Sequence, residues 1–137
     1  MASRLNPYIH FKNTARTAME FYKTVFGGEL TVTTFGEGGM AQNPADTDKV
    51  MHAQLVGPND LWLMGSDTPE HMEFKPGSTV TISLSGDDEA LLKGWWDKLS
   101  PGATIAMPLE KAPWGDSFGM LVDKFGTEWM VNIAGSR

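Results

Sequence analysis

Residues 78–102 read STVTISLSGDDEALLKGWWDKLSPG, and this stretch decides the fold. Over residues 78–84, Val80, Ile82 and Leu84 alternate with Thr79, Thr81 and Ser83, the period of a strand with one face buried. Asp87 stands where a helix N-cap belongs, because its carboxylate can accept a free N–H of the first turn. Leu92, Trp95, Trp96 and Leu99 then fall on one helical stripe. Pro101-Gly102 ends it, since proline lacks the N–H a helix needs and glycine takes a left-handed turn freely.

The same order occurs earlier in the chain. Residues 5–11 read as a strand, Asn13 as an N-cap, and Ala15, Ala18, Tyr22, Val25 and Phe26 as the apolar stripe of a helix over 14–26 that Gly27-Gly28 stops. Asn13 to Asp87, Tyr22 to Trp96 and Gly28 to Gly102 are each 74 positions apart. Strands follow at 29–35, 49–56 and 60–64 in the first half, with Gly57-Pro58-Asn59 as a turn, and at 103–109, 117–123 and 127–133 in the second. Their offset falls to about 67 because the Gly-rich loop 36–48 is longer than its counterpart at 110–115. The prediction is an α+β fold: two tandem βαβββ modules forming a concave, cavity-enclosing mixed sheet within a single domain. Module 1 covers 5–65, a connector holding Pro69 and Pro76 covers 66–77, and module 2 covers 78–133.

Alternation also assigns faces. Thr127, Trp129, Val131 and Ile133 form the apolar face of the last strand, against Glu128, Met130 and Asn132. In the third strand Met51, Ala53 and Leu55 oppose His52 and Gln54, and in the fourth Leu61 and Leu63 oppose Trp62 and Met64. Water-facing Trp62, Met64 and Met130 would make a costly apolar patch, so these mixed faces are expected to enclose a ligand cavity.

Composition narrows the function. The 137 residues carry a formal charge of −6, and eleven scattered Lys and Arg offer no footprint for phosphates, so nucleic acid is not an expected partner. Absent cysteine removes disulfides, thiolate metal sites and cysteine nucleophiles. The opening MASRLNPYIHF shows no apolar signal region, and no run reaches the roughly 18 apolar residues of a membrane span, so a cytoplasmic protein without a membrane partner is expected. Nine Met and five Trp are many for this length; most are expected to fill core, and the remainder to offer adaptable and stacking surface in a ligand pocket.

Several blocks resemble a known family. They are Asn6-Pro7-Tyr8, Phe21-Tyr22, Val25-Phe26-Gly27-Gly28 and Val50-Met51-His52-Ala53, followed by Pro108-Leu109-Glu110-Lys111, Trp114-Gly115 and Phe118-Gly119. The most specific are Asp123-Lys124-Phe125-Gly126 and Trp129-Met130-Val131-Asn132. The chain resembles the PhnB-like proteins, often labelled 3-demethylubiquinone-9 3-methyltransferase, within the vicinal oxygen chelate superfamily of glyoxalases, extradiol dioxygenases and bleomycin-resistance proteins. The resemblance implies the paired βαβββ fold. It also implies metal ligands (His, Gln or Glu) on the first, fourth, fifth and eighth strands. Those places fall near Pro7, Trp62 or Met64, Thr79 and Met130, none of which suits a hard or borderline ion, so no metal and no cofactor is expected.

The methyltransferase label finds no support in the residues. Gly36-Glu37-Gly38-Gly39 is the only candidate cofactor turn, and Gln42-Asn43-Pro44 after it does not begin a convincing helix. The expected function is a small-molecule-binding protein for an apolar or aromatic ligand, contacted by His52, Trp62, Met64, Trp114 and Met130. Trp114 enters because a core-filling Trp is unusual in a loop between Pro113 and Gly115. The alternative is a glyoxalase- or dioxygenase-like enzyme using an unconventional metal at His10 and His52, or His52 as general base with Glu128 on the same sheet face. Association alone is a third possibility. Asp116 and Asp123 are expected to fix turns, and His71-Met72-Glu73 to be solvated. Trp95 and Trp96 point about 100° apart on a helix, so with Trp96 in the core Trp95 lies beside Leu91 at the edge, a patch suited to a homodimer.

Overall fold

The computed structural model describes residues 3–39, 41, 43–77 and 79–135. The chain divides between Pro76 and Gly77 into two compact units, which correspond to the two modules. Module 1 comprises β1 (Tyr8–Phe11), α1 (Ala15–Phe26), β2 (Glu29–Thr34), β3 (Val50–Val56) and β4 (Trp62–Asp67). Its sheet runs β1-β4-β3-β2, with β1 parallel to β4 and the other pairs antiparallel. Ala15, Ala18, Met19, Tyr22, Val25 and Phe26 are buried on α1, which packs on β2, β3 and β4, where Ala53, Leu55 and Leu63 are buried in turn. Each large apolar side chain so covered contributes roughly 1.5–3 kcal/mol.

Three details of module 1 differ from the sequence reading. Asn13 takes a positive φ of 65° and Thr14 occupies the cap position without a side-chain bond. The cap comes instead from Asp67, at the far end of β4. One carboxylate oxygen accepts the Ala15 N–H at 2.9 Å and the other the Val50 N–H at 2.9 Å. Ser66 and Asp67 thus belong to β4 rather than to the connector, and both are buried. A bulge in β3 is the third difference. Thr33 pairs with His52 but Thr34 with Val50, so Val50, 1% exposed, takes the buried place assigned to Met51.

Between β2 and β3 lies a short 3-10 turn, Pro44–Asp46, capped by Asn43, whose side chain accepts the Ala45 N–H at 2.9 Å. Buried Asp46 pairs with Lys49 at 2.9 Å and accepts the Glu70 N–H at 3.1 Å, tying this loop to the connector. The Lys49 hydrogen bond holds the Asp46 carboxyl below the ordinary carboxylate value, against the opposing effect of burial, and the same bond raises Lys49.

Module 2 repeats the topology with β5 (Ile82–Gly86), α2 (Glu89–Leu99), β6 (Thr104–Lys111), β7 (Ser117–Val122) and β8 (Glu128–Ile133), in the order β5-β8-β7-β6. β5 begins later than expected: Ser78 is outside the described residues, and Thr79, Val80 and Thr81 precede the strand. Its parallel partner β8 pairs with it from Trp129 to Ile133, opposite Ile82 to Gly86. Asp88, not Asp87, caps α2, accepting the Leu91 N–H at 3.1 Å. The caps Thr14 and Asp88 have therefore both moved one residue from the expected places, which preserves the internal repeat.

Trp96 takes the core place and Trp95 is half-buried beside Leu91, as the helical geometry predicts. Room for Trp96 comes from Gly119, where an added Cβ would lie 2.8 Å from the indole and 2.9 Å from the Leu109 backbone. Asp123 organises the β7–β8 turn, accepting the N–H groups of Phe125 at 2.9 Å and Thr127 at 3.0 Å and the Trp129 indole N–H at 2.8 Å. Asp116 accepts from the Gly135 N–H at 2.9 Å and Asn132 Nδ2 at 3.2 Å. Asp123 thus fixes its turn as expected, whereas the Asp116 carboxylate ties the β6–β7 turn to the end of β8.

Candidate functional site

In each module the helix covers one face of the sheet, and the predicted site residues lie on the other. In module 1, Tyr8 sits opposite Met64, Met64 opposite Gln54, and Gln54 opposite Thr31. One step along, His10 is opposite Ser66 and His52 is opposite Thr33. The Tyr8 hydroxyl reaches His52 Nδ1 at 3.4 Å, a long hydrogen bond in which the imidazole tautomer decides which group donates. The Tyr8 ring centroid is 5.3 Å from that of His10 and 5.8 Å from that of His52. A phenol, two imidazoles, an amide and a thioether therefore share this face.

Trp62, opposite Val56, ends the row pattern. The Arg4 guanidinium stands 3.8 Å from its ring centroid, a cation–π contact that uses one face of the indole. Its Nε1–H is buried and finds no hydrogen-bond partner among the described residues.

Module 2 carries different chemistry in the same places. Ser83, Met130, Met120 and Met107 form one row across all four strands. Ser85, Asn132, Phe118 and Glu110 form the next. Trp114, 65% exposed in the β6–β7 turn, meets Phe118 edge to face at 6.2 Å. At the other end of β8, Glu128 lies opposite Val122, and its Oε2 is buried without a hydrogen-bond partner among the described residues.

His52, Trp62 and Met64 therefore share the helix-free face of module 1, while Met130, Trp114 and Glu128 belong to that of module 2. The expected pairing of His52 with Glu128 on one sheet face does not hold, because β3 and β8 belong to separate sheets. Alternation along each strand is legible in sequence, but strand partnership is not. Sequence reasoning also passes over Met107, Met120 and Phe118. The available signal was β7 itself, where Phe118, Met120 and Val122 alternate with Gly119 and Leu121, the last two buried. A separate cleft of about 310 Å³ on module 1, lined by Lys12, Lys49, Glu70 and Phe74 among others, contains none of the predicted residues.

The donor set does not suit the metal that the fold class implies. Pro7 precedes β1 and Thr79 precedes β5, and the strand residues paired with Met64 and Met130 are Tyr8 and Ser83. Thioethers and hydroxyls are poor ligands for hard or borderline divalent ions. Among the described residues, no three His, Asp or Glu side chains are grouped so as to hold an ion.

Two βαβββ modules, each with its parallel first and fourth strands side by side, define the vicinal oxygen chelate class of folds. A glyoxylase/bleomycin resistance protein/dioxygenase domain from Frankia sp. EAN1pec shares this fold, with a TM-score of 0.68 at 12% identity over 100% of this chain and 94% of that one. Residues 3–132 match the family described as 3-demethylubiquinone-9 3-methyltransferase, and the chain belongs to that family. It is 34% identical to protein PA1353 from Pseudomonas aeruginosa, with a TM-score of 0.84 over 98% of this chain and 100% of the other. The PhnB protein from Bacillus cereus superposes with a TM-score of 0.73 at 24% identity, over 96% and 100% of the two chains.

Proposed function

We propose that this chain is a metal-independent small-molecule-binding protein, taking apolar or aromatic ligands on the helix-free face of module 1 through His52, Trp62 and Met64 and on that of module 2 through Trp114 and Met130. One observation carries the reading: in both modules the helix-free face holds large apolar side chains together with one buried polar atom, Trp62 Nε1 or Glu128 Oε2, that has no hydrogen-bond partner among the described residues. Leaving such an atom unpaired costs about 1–3 kcal/mol, which a ligand with matching groups recovers. A thermal-shift screen with small aromatic compounds and, separately, with divalent zinc, nickel, manganese and iron tests the proposal. Aromatic ligands are expected to raise the melting temperature by several degrees at saturating concentration. Stabilisation by a stoichiometric metal, abolished in His52→Ala, would overturn the reading.

A second reading is favoured by the Tyr8–His52 contact. His52 then acts as a general base, with the Tyr8 hydroxyl orienting its ring. A turnover assay that loses activity in both His52→Gln and Tyr8→Phe would favour it. Methyl transfer is not part of either reading: the turn at residues 36–39 leads toward the short 3-10 turn Pro44–Asp46, not to an α-helix whose N-terminus could receive a nucleotide-type cofactor. No helix among the described residues is long and apolar enough to cross a membrane. A cytoplasmic location, no nucleic-acid partner and a homodimer built on Trp95 and Leu91 complete the proposal. Light scattering at micromolar concentration checks the last point, and a mass near 15.0 kDa would exclude the dimer.

A further inference from the structure

We infer that the ligand of module 2 is an aromatic cation, its ring lying on the thioether row and its protonated amine or amidine held by Glu128. This inference rests on the small-molecule reading and names the class of molecule.

The helix-free face of module 2 has two chemically distinct ends. Asn132, Met130 and Glu128 succeed one another on one side of β8, each about 7 Å from the next at the rise of a β-strand. Phe118, opposite Asn132 and in edge contact with Trp114, makes the first end aromatic, with exposed Glu110 beside it on β6. Met130, Met120 and Met107 lie side by side in the middle, on strands spaced about 4.8 Å apart, which gives a polarizable strip as broad as a fused two-ring system. The other end is acidic, at Glu128.

Glu128 determines the sign of the ligand's charge. Met130, the next residue on this side of β8, offers no donor, and among the described residues nothing hydrogen-bonds the buried Oε2. A carboxylate accepts hydrogen bonds and donates none, and a buried acceptor atom without a donor is costly. A ligand N–H bearing positive charge meets both needs, a neutral isostere meets them weakly, and an anion is repelled. The net charge of −6 works in the same direction by concentrating cations at the surface.

The test uses naphthylmethylamine, protonated at neutral pH, and its neutral analogue naphthalenemethanol. Each is titrated by calorimetry into the wild-type chain and Glu128→Gln. The wild type is expected to bind the ammonium about tenfold or more tightly than the alcohol, as for a partly desolvated charge pair. In Glu128→Gln that preference is expected to vanish while alcohol affinity stays within about twofold. Melting temperature guards against misfolding: if Glu128 is unpaired in the free protein, Glu128→Gln melts at or above the wild type, whereas a structural carboxylate would give a fall. Equal binding of the two compounds by the wild type, a preference that survives Glu128→Gln, or a lowered melting temperature overturns the cation inference and leaves the small-molecule reading standing. Failure of both compounds to bind at millimolar concentration removes both.

Discussion

Modules 1 and 2 share one topology and solve its local problems differently. Both helices start at the same place in the repeat, yet α1 is capped from 52 residues away by buried Asp67, and α2 by its own exposed Asp88, three residues before the N–H it accepts. Beneath the helices, module 1 sets Ala53 opposite Gly65 where module 2 sets Gly119 opposite Val131, so each sheet has small residues where a large side chain must approach. On the helix-free faces the contrast is chemical, Tyr8, His10 and His52 against Met107, Met120 and Met130. Topology constrains the side of a sheet that a helix covers and leaves the other side free to diverge.

The largest expected effect tests the caps. Asp67→Ala strands two buried N–H groups at about 1–3 kcal/mol each, so urea denaturation is expected to show a loss of about 3 kcal/mol. Asp88→Ala removes one exposed cap bond and is expected to cost about 1 kcal/mol. Equal losses would erase the distinction between a remote and a local cap. Between these two in size lies Gly119→Ala, expected to cost about 2 kcal/mol because the new methyl meets the Trp96 ring at 2.8 Å. The smaller ring of Trp96→Phe should offset part of that loss in a double-mutant cycle, whereas strict additivity would place the strain elsewhere.

The smallest effect concerns pH and belongs to module 1 alone. The depressed pKa of Asp46 means that its contribution is complete above the ordinary aspartate value and is lost as pH falls through the lower folded value. Lys49, raised by the same partner, contributes fully below its ordinary value and loses that contribution only as pH climbs through the higher folded one. Asp46→Asn is therefore expected to be less stable than the wild type at neutral pH, with the gap closing in acid below about pH 4. A gap that stays constant into that range would show that the ion pair does not act through ionisation.

The repeat was legible because apolar periodicity and glycine stops are local properties. Gly27 and Gly102, with φ of 78° and 77°, fall just past α1 and α2, where the sequence reading puts them. The caps were misread by one residue in both modules because neighbouring polar residues are equivalent on paper. In module 1 only the backbone turn at Asn13 and the distant carboxylate of Asp67 separate them. The bulge that exchanges Met51 for Val50 has no local signature, and it changes the face pattern only at the start of β3, since Ala53 and Leu55 stay buried. As for the site, the helix-free faces of β3, β4 and β8 followed from alternation. The Tyr8–His52 contact and the methionine row depend on which strands become neighbours, which no single strand encodes.

Asp67 also has a consequence for the order of events in folding. A cap drawn from 52 residues away cannot act until the chain between has been closed into a loop, and that entropy is spent before the bond returns anything. The first turn of α1 must wait for β4, although α1 leaves the ribosome long before it. α2 carries its cap in the adjoining residue and can nucleate as soon as its own first turn exists. The module synthesised last therefore holds the helix able to form first.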